Sequence, residues 1–111
     1  MAIRIAICDD NKEDVELLEK ALYNYDDTFE IIAYNNGEML IDDFLDDNIS
    51  ADILFLDIYM PGIDGVKTAE RIRSRNKDIK IIFTSLSKDH FQQAYEVFAF
   101  NYILKPLNIE R

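Results

Sequence analysis

The chain has 111 residues, of which 49% are hydrophobic, and this length and composition fit one compact domain with a single core. It carries 22 acidic and 12 basic residues, and its formal net charge of −10 argues against direct contact with nucleic acid and against binding to anionic membranes. The sequence contains neither an apolar run of membrane-spanning length nor an N-terminal signal pattern, which predicts a soluble cytoplasmic protein.

The first predicted strand covers residues 3–8 and ends before an acidic pair. It includes the single cysteine, Cys8, which excludes a disulfide framework and is expected to be a buried structural thiol, with a reactive thiol as the alternative. A helix is predicted next, with Asn11 as its N-cap and Asp14 as the partner residue of a capping box. Its apolar side is expected at Val15, Leu18, Leu22 and Tyr25.

A second strand and helix follow, and then a third strand. Residues 29–34 form a β-rich run, and residues 35–37 form a turn. The apolar side of the next helix is predicted to consist of Met39, Leu40, Phe44 and Leu45. Residues 53–56 form a fully apolar strand that ends at Asp57. The chain then breaks into a loop marked by Pro61, Gly62 and Gly65.

The rest of the chain continues the alternation. A third helix has its apolar side at Val66, Ala69 and Ile72. The one basic neighbourhood is expected to be solubilising surface, with docking as the alternative, and consists of Arg71, Arg73, Arg75, Lys77 and Lys80. Residues 80–83 form a fourth strand that ends at Thr84 and Ser85. A short fourth helix is predicted from Phe91, Ala94, Tyr95 and Phe98. Residues 101–104 form a fifth strand that ends at Lys105.

Apolar strands that alternate with helices predict an α/β fold with a parallel sheet covered on both faces. In such a sheet the carboxyl ends of the strands share one edge, where ligands bind. The residues that follow these strands should therefore converge on one cleft; they are Asp9, Asp10, Asp57, Thr84 and Lys105. The alternative is that they are ordinary loop residues.

Three carboxylates in one cleft repel one another, and the single ammonium of Lys105 does not neutralise them. A hard divalent cation is the natural complement of an all-oxygen donor set, so Mg²⁺ is expected, with Mn²⁺ as a possible substitute and Zn²⁺ disfavoured. A carboxylate such as Asp57 beside a metal ion and a lysine is equipped to attack a phosphoryl group.

Four motifs in order along nearly the whole chain resemble the receiver domain of bacterial two-component response regulators. They are Asp9-Asp10, residues 56–65, Thr84-Ser85 and residues 102–106. The resemblance implies a flavodoxin-like, doubly wound, five-stranded parallel sheet of order 2-1-3-4-5 with helices on both faces. The five residues after Pro106 are too few to complete a last helix, which is therefore expected to be truncated.

The resemblance also implies the roles of the site residues. Asp57 would be the phosphoacceptor that takes a phosphoryl group from a phosphohistidine of a sensor histidine kinase. Asp10 would ligate Mg²⁺ directly and Asp9 largely through water, with Asp57 and the backbone carbonyl of Tyr59 as further ligands. Lys105 would pair with the phosphoryl group. By the same resemblance the domain is a signalling domain and not an enzyme, apart from self-catalysed phosphoryl uptake and loss.

Switch residues follow from the same resemblance. Thr84 would move to hydrogen-bond a phosphoryl oxygen, and Tyr102 would turn inward behind it, which changes the surface from the fourth helix to the fifth strand. Pro106 would follow a cis peptide bond. Tyr59 stands two residues after the acceptor and is bulky for that position, so the lifetime of the phosphorylated form is left open. His90 is expected to be a surface or cap residue.

Residues 1–111 are interpreted as one receiver domain, the N-terminal part of a longer regulator. Residues 7–11 and the aromatic-rich residues 94–106 resemble receivers joined to DNA-binding domains of the LytTR type. The expected partners are therefore a sensor histidine kinase and an output domain outside this chain. A missing last helix would expose apolar residues of the first and fifth strands, which predicts a homodimer.

Three alternatives stand beside this interpretation. A phosphohydrolase of the haloacid-dehalogenase type also uses an aspartyl nucleophile with Mg²⁺, but it would want a second aspartate where this chain has Tyr59. A receiver-like interaction module would never take phosphate. A flavodoxin relative that binds a nucleotide or flavin is the weakest alternative, because no glycine-rich phosphate loop follows the first strand.

Overall fold

A computed structural model describes residues 2–47 and 50–107 of the chain, which contain five parallel strands. The strands are β1 (Arg4–Cys8), β2 (Glu30–Tyr34), β3 (Ile53–Asp57), β4 (Lys80–Ser85) and β5 (Asn101–Leu104). They form one sheet in the order β2-β1-β3-β4-β5, and every neighbouring pair is parallel. The predicted fold class and strand order are confirmed.

Four helices connect the strands: α1 (Lys12–Tyr25), α2 (Gly37–Leu45), α3 (Gly65–Arg73) and α4 (Phe91–Glu96). The first three begin at side chains that cap the free amides of the first turn, namely Asn11, Asn36 and Asp64. Each of these cap oxygens accepts a hydrogen bond from the backbone amide three residues later. The predicted cap at Asn11 is confirmed.

The sheet separates two apolar layers, because successive residues of a strand point to opposite faces. On one face, Ile5 and Ile7 pack against the apolar side of α1, whose members are Val15, Leu18 and Leu22. Tyr25, which was predicted on the same side, is 85% exposed. On the other face, Ala6 and Cys8 belong to the larger core, which also holds residues of the remaining helices: Leu40, Ala69, Ile72 and Ala94. Helices therefore cover both faces. Within the described ranges, no helix is long and apolar enough to span a bilayer.

Cys8 is the buried structural thiol that its sequence context predicts. Its Sγ lies 3.8 Å from the Sδ of Met60 in the core. Burial, followed by the nearby charges of Asp9 and Asp57, raises the pKa of Cys8 to about 12. The thiol is therefore protonated at neutral pH and unreactive as a nucleophile.

The predicted short fourth helix is confirmed, but of the four apolar residues that predicted it only Ala94 is buried. Ala94 is buried together with Val97, but Tyr95 is 78% exposed and Phe98, which lies beyond the end of the helix, is 79% exposed. Ala94 and Val97 are three residues apart, and so are Tyr95 and Phe98, so helical periodicity alone does not show which pair is buried. The pair with the smaller side chains, Ala94 and Val97, packs in the core. The predicted apolar side of α2 also needs correction. Ile41, which was not included in it, is buried, whereas Met39, which was included, is exposed.

Two surface predictions also need correction. Arg73 was expected on a solubilising surface but is only 7% exposed, because its guanidinium donates to buried backbone carbonyls. Apolar residues of the first strand were expected to be exposed if the last helix is missing, yet Ile5 and Ile7 are each 1% exposed because α1 covers them. Of the apolar residues within 3–8, all of which the structure describes, only Ile3 before β1 is exposed, at 42%. Leu104 of β5 is 41% exposed, as that expectation required. Residues 108–111 lie outside the described residues, so the predicted truncation of the last helix falls there.

Candidate functional site at the carboxyl edge of the sheet

Three carboxylates meet at the carboxyl ends of β1 and β3. Asp9 and Asp10 follow β1 directly, and Asp57 is the last residue of β3, which pairs with β1. One oxygen from each of the three carboxylates lies within 4.8 Å of the others. Asp9 and Asp57 are buried and Asp10 is exposed, so the cluster opens to solvent on one side.

The ammonium of Lys105, the residue that follows β5, contacts two of these carboxylates. Its Nζ lies 3.0 Å from Oδ2 of Asp9 and 3.5 Å from Oδ1 of Asp57. The side chain of Lys105 is 9% exposed, so these contacts are shielded from bulk water. The sheet therefore brings together residues that lie at the two ends of the chain.

Asp14 is a site residue that sequence reasoning missed. Its backbone amide donates to Oδ1 of Asn11, as the capping box predicts, but the amide of Asn11 donates to Oδ1 of Asp9 and not to the Asp14 carboxylate. Instead, Oδ2 of Asp14 lies 2.8 Å from Nζ of Lys105. The available signal was position, because Asp14 is an acidic residue in the first turn of α1, which begins just after the acidic pair Asp9-Asp10.

Burial and mutual repulsion shape the charges of the cluster. Burial, followed by the negative charge of Asp9, raises the pKa of Asp57 from 3.8 to about 7. Burial by itself lowers the pKa of Lys105, but its contacts with Asp14, Asp9 and Asp57 outweigh that effect and hold the pKa above its ordinary value. The ammonium therefore stays charged, and the cluster has a net negative charge.

The donor set fits a hard divalent cation. Asp9, Asp10 and Asp57 offer carboxylate oxygens at a separation that one ion can bridge, and oxygen ligands of this kind suit Mg²⁺. Three carboxylates with one ammonium also leave an excess of negative charge that a cation would neutralise.

The loop after β3 is fixed by contacts to the sheet and to α2. The amide of Gly65 donates to the carbonyl of Ile58 over 2.8 Å, and an added Cβ at Gly65 would clash with the backbone of Asp57. Gly62 has a φ of +79°, which side-chain-bearing residues rarely adopt. The amide of Ile63 donates to Oε2 of Glu38 over 2.9 Å. Glu38 was also missed, since nothing in its local sequence marks it.

Thr84 lies beside the acceptor candidate. It is directly opposite Asp57 in the register of β3 and β4, and its carbonyl accepts a hydrogen bond from Ile58. Thr84 is buried, and so is the small Ser85 that follows it. The strand pairing therefore holds a hydroxyl next to the aspartate.

Tyr59 forms part of the rim of the site. Its hydroxyl lies 2.8 Å from Nε2 of His90, and the two rings meet edge to face with 5.2 Å between centroids. His90 occupies the N-cap position of α4, but its side chain makes no cap hydrogen bond. The pairing of His90 with Tyr59 joins two loops and was not predicted from sequence.

Tyr102 links β5 to the loop that precedes α4. Its hydroxyl donates to the carbonyl of Ser87 over 2.6 Å, and its ring packs edge to face on Phe91 with centroids 4.5 Å apart. The side chain is half-buried against Phe83 of the core. The peptide bond between Lys105 and Pro106 is cis.

An open cavity of about 420 Å³ lies over the carboxylates. Its lining consists of Asp10, Asn11, Asp14, Asp57, Tyr59, Leu86, Lys105 and Pro106. A small anion placed there would lie beside the carboxylates of Asp57 and Asp10 and the ammonium of Lys105. The site thus combines the elements that phosphoryl transfer to a carboxylate requires.

Comparison with known proteins identifies similar chains. The family model for the response regulator receiver domain matches residues 5–111. The sensory transduction protein LytT of Oceanobacillus iheyensis is 37% identical over the whole chain, which covers 45% of that protein. LytT of Bacillus subtilis is 30% identical over 98% of the chain and 44% of its own length. The chain thus spans about half the length of these curated relatives.

A solved structure resembles the fold closely. Response regulator protein TrrA from Thermotoga maritima, in complex with Mg²⁺ and BeF, superposes with a TM-score of 0.84 and 32% identity. The alignment covers 97% of this chain and 90% of TrrA.

Proposed function

Because this chain belongs to the response regulator receiver domain family, we propose that Asp57 accepts a phosphoryl group from a phosphohistidine of a sensor histidine kinase. The observation that carries the proposal is the position of Asp57. Asp57 is 4% exposed, and one of its carboxylate oxygens lies within 4.8 Å of oxygens of Asp9 and Asp10. Its Oδ1 lies 3.5 Å from Nζ of Lys105.

In the proposed reaction, a carboxylate oxygen of Asp57 forms a bond to phosphorus while the bond between phosphorus and the imidazole nitrogen of the donor breaks. The leaving imidazole takes up a proton. Lys105 neutralises part of the charge on the transferring oxygens, and the hydroxyl of Thr84 supplies a donor from the neighbouring strand.

Mg²⁺ is the proposed cofactor, held by Asp9, Asp10 and Asp57 and by the backbone carbonyl of Tyr59. When bound, it would neutralise the carboxylates and polarise the phosphoryl oxygens. The close spacing of the three carboxylates supports this proposal, and so does the TrrA complex, which contains Mg²⁺. Mn²⁺ as a substitute stays a prediction from the oxygen donor set.

The proposed output is a change in the surface formed by α4 and β5. A phosphoryl group adds charge and hydrogen-bond acceptors beside Thr84, whose movement would be transmitted to Tyr102. The contact of Tyr102 with Ser87 ties β5 to the loop before α4, which supports this coupling. Receiver domains are signalling domains, and self-catalysed uptake and loss of the phosphoryl group are part of the proposal.

The length of the relatives supports an output domain outside this chain. We propose a DNA-binding domain of the LytTR type, because residues 7–11 and 94–106 resemble receivers joined to such domains and because the chain covers only 45% and 44% of the two LytT relatives. The exposed aromatic residues near α4 support a homodimer of the receiver, and Tyr95 and Phe98 are the most exposed of them.

Intact-protein mass after incubation with acetyl phosphate and Mg²⁺ tests the proposal. One added phosphoryl group is expected on the wild-type chain, and none on Asp57→Asn or in excess chelator. An adduct that persists in Asp57→Asn would contradict the assignment of the acceptor. A folded wild-type protein without any adduct would favour a phosphate-independent interaction module, and multiple turnover of a phosphoester would favour a phosphohydrolase.

A further inference from the structure

Lys105 is shared among three carboxylates, and Asp14 is the nearest of them. The distances from Nζ of Lys105 are 2.8 Å to Asp14, 3.0 Å to Asp9 and 3.5 Å to Asp57. The side chain of Asp14 is 22% exposed, against 9% for that of Lys105, so the pair is partly shielded from water. Asp14 thus makes a closer contact with the ammonium than the acceptor aspartate does.

The backbone anchors both partners of this contact. Asp14 lies in the first turn of α1, where its amide bonds to the cap residue Asn11. The amide of Lys105 donates to the carbonyl of Ser85 over 2.7 Å. Asp14 and Lys105 also line the cavity over Asp57 in which an anion would be received. An incoming phosphoryl group must therefore compete with Asp14 for the ammonium.

We propose that Asp14 is a positioning residue that draws the ammonium of Lys105 toward α1 and thereby weakens anion binding at Asp57. The inference rests on the proposed function of Asp57. It assigns a role to a residue of α1 that is neither an acceptor nor a metal ligand: Asp14 sets how readily the site takes up a phosphoryl group.

The charge of Asp14 acts on cations and anions with opposite signs. A carboxylate at the wall of the cavity raises the local concentration of Mg²⁺ and lowers that of phosphoryl donors. Removal of this charge frees Lys105 for the anion and also removes repulsion. A variant without it is therefore expected to gain affinity for an anion and to lose affinity for Mg²⁺. Simple damage to the site would lower both affinities.

Asp14→Asn tests the inference, with Glu13→Gln as the matched control. Both residues are acidic and lie in the first turn of α1, so both variants lose the same charge next to the same helix terminus. Glu13 is exposed and does not line the cavity over Asp57. Calorimetric titration measures the affinity for Mg²⁺ alone, and then for beryllium fluoride in saturating Mg²⁺ as the phosphoryl probe.

The expected result for Asp14→Asn is about three- to tenfold tighter binding of beryllium fluoride and a two- to fivefold weaker affinity for Mg²⁺. Glu13→Gln should change both affinities by less than about twofold. Asp14→Glu, which restores the charge, should return both affinities toward wild type. Unchanged or weaker binding of beryllium fluoride by Asp14→Asn overturns the inference.

The outcome separates this inference from the proposed function. Binding of beryllium fluoride by wild type and its loss in Asp57→Asn support the function whatever Asp14→Asn does. If wild type binds no beryllium fluoride, the proposed function fails. The inference is then judged on Mg²⁺ alone, and an unchanged Mg²⁺ affinity in Asp14→Asn overturns it.

Discussion

The hydroxyl of Tyr59 lies 2.8 Å from Nε2 of His90, and their rings cross at 71°. Tyr59 lines the cavity over Asp57, whereas His90 stands at the start of α4. The contact therefore joins the rim of the site to the helix whose surface is the proposed output. It also fixes a bulky ring where water would approach a phosphorylated Asp57.

We expect His90→Leu to release Tyr59 and to speed hydrolysis of the acyl phosphate about two- to tenfold, which corresponds to one lost hydrogen bond. Tyr59→Phe keeps the ring and loses the same bond, so it should give a similar change. The double variant should be no faster than either single one, because all three remove one interaction. Loss of phosphoryl mass with time, after removal of the donor, measures the rate. Additive effects of the two substitutions would contradict the prediction.

Asp57 is expected to destabilise the metal-free fold above neutral pH. Its pKa is about 7 in the folded chain because of burial and the charge of Asp9, against 3.8 for the ordinary group. The folded state therefore binds a proton more tightly than the unfolded state, and stability falls as pH rises from about 4 to 7. Each unit of pKa shift corresponds to about 1.4 kcal/mol.

Asp57→Asn removes this ionisation, so it should raise the free energy of unfolding by roughly 1–3 kcal/mol at pH 8, and by much less near pH 5. Urea unfolding in excess chelator at both pH values measures the difference. The exposed Asp27→Asn serves as the control and should have little effect at either pH. An equal gain for Asp57→Asn at both pH values would refute the linkage to Asp57.

Arg73 is expected to be essential for stability. Its Nε donates to the carbonyl of Val97 over 2.8 Å and its Nη1 to that of Ile79 over 2.6 Å, so one side chain joins α3 to the end of α4 and the start of β4. Arg73→Met would leave these carbonyls without donors and should lower the free energy of unfolding by about 2–4 kcal/mol.

Arg73→Lys should have an intermediate effect, because an ammonium lacks the planar fork of donors. The exposed Arg71→Met is the matched control on the same helix and should change stability by less than about 0.5 kcal/mol in urea unfolding. A value for Arg73→Met as small as that of the control would show that the carbonyls find other partners.

Glu38 should hold the loop that follows β3, because its Oε2 accepts a hydrogen bond from Ile63. Glu38→Ala is expected to speed amide hydrogen exchange of Ile63 by about two- to tenfold, in line with the loss of one hydrogen bond. Glu38→Gln keeps an acceptor oxygen and should leave exchange close to wild type. Equal exchange in all three proteins would argue that other contacts fix the loop.

Much of the fold follows from the sequence because its patterns are local. Apolar runs and helical spacing mark β1 to β5 and the helices between them, and parallel pairing then brings the ends of β1, β3, β4 and β5 to one edge. The clustering of Asp9, Asp10, Asp57 and Lys105 is a consequence of this topology. Both are predictable because strand periodicity and the handedness of the crossovers leave few arrangements open.

Only the tertiary structure decided which side chains meet across elements. The contact of Asp14 with Lys105, the pairing of Tyr59 with His90 and the burial of Arg73 each join segments far apart in the chain. The burial of Ala94 and the exposure of Tyr95 in α4 were also decided only in the folded chain. Such contacts depend on distances and side-chain rotamers that are fixed only when the elements pack together. The residue types and spacing within a single segment do not determine them.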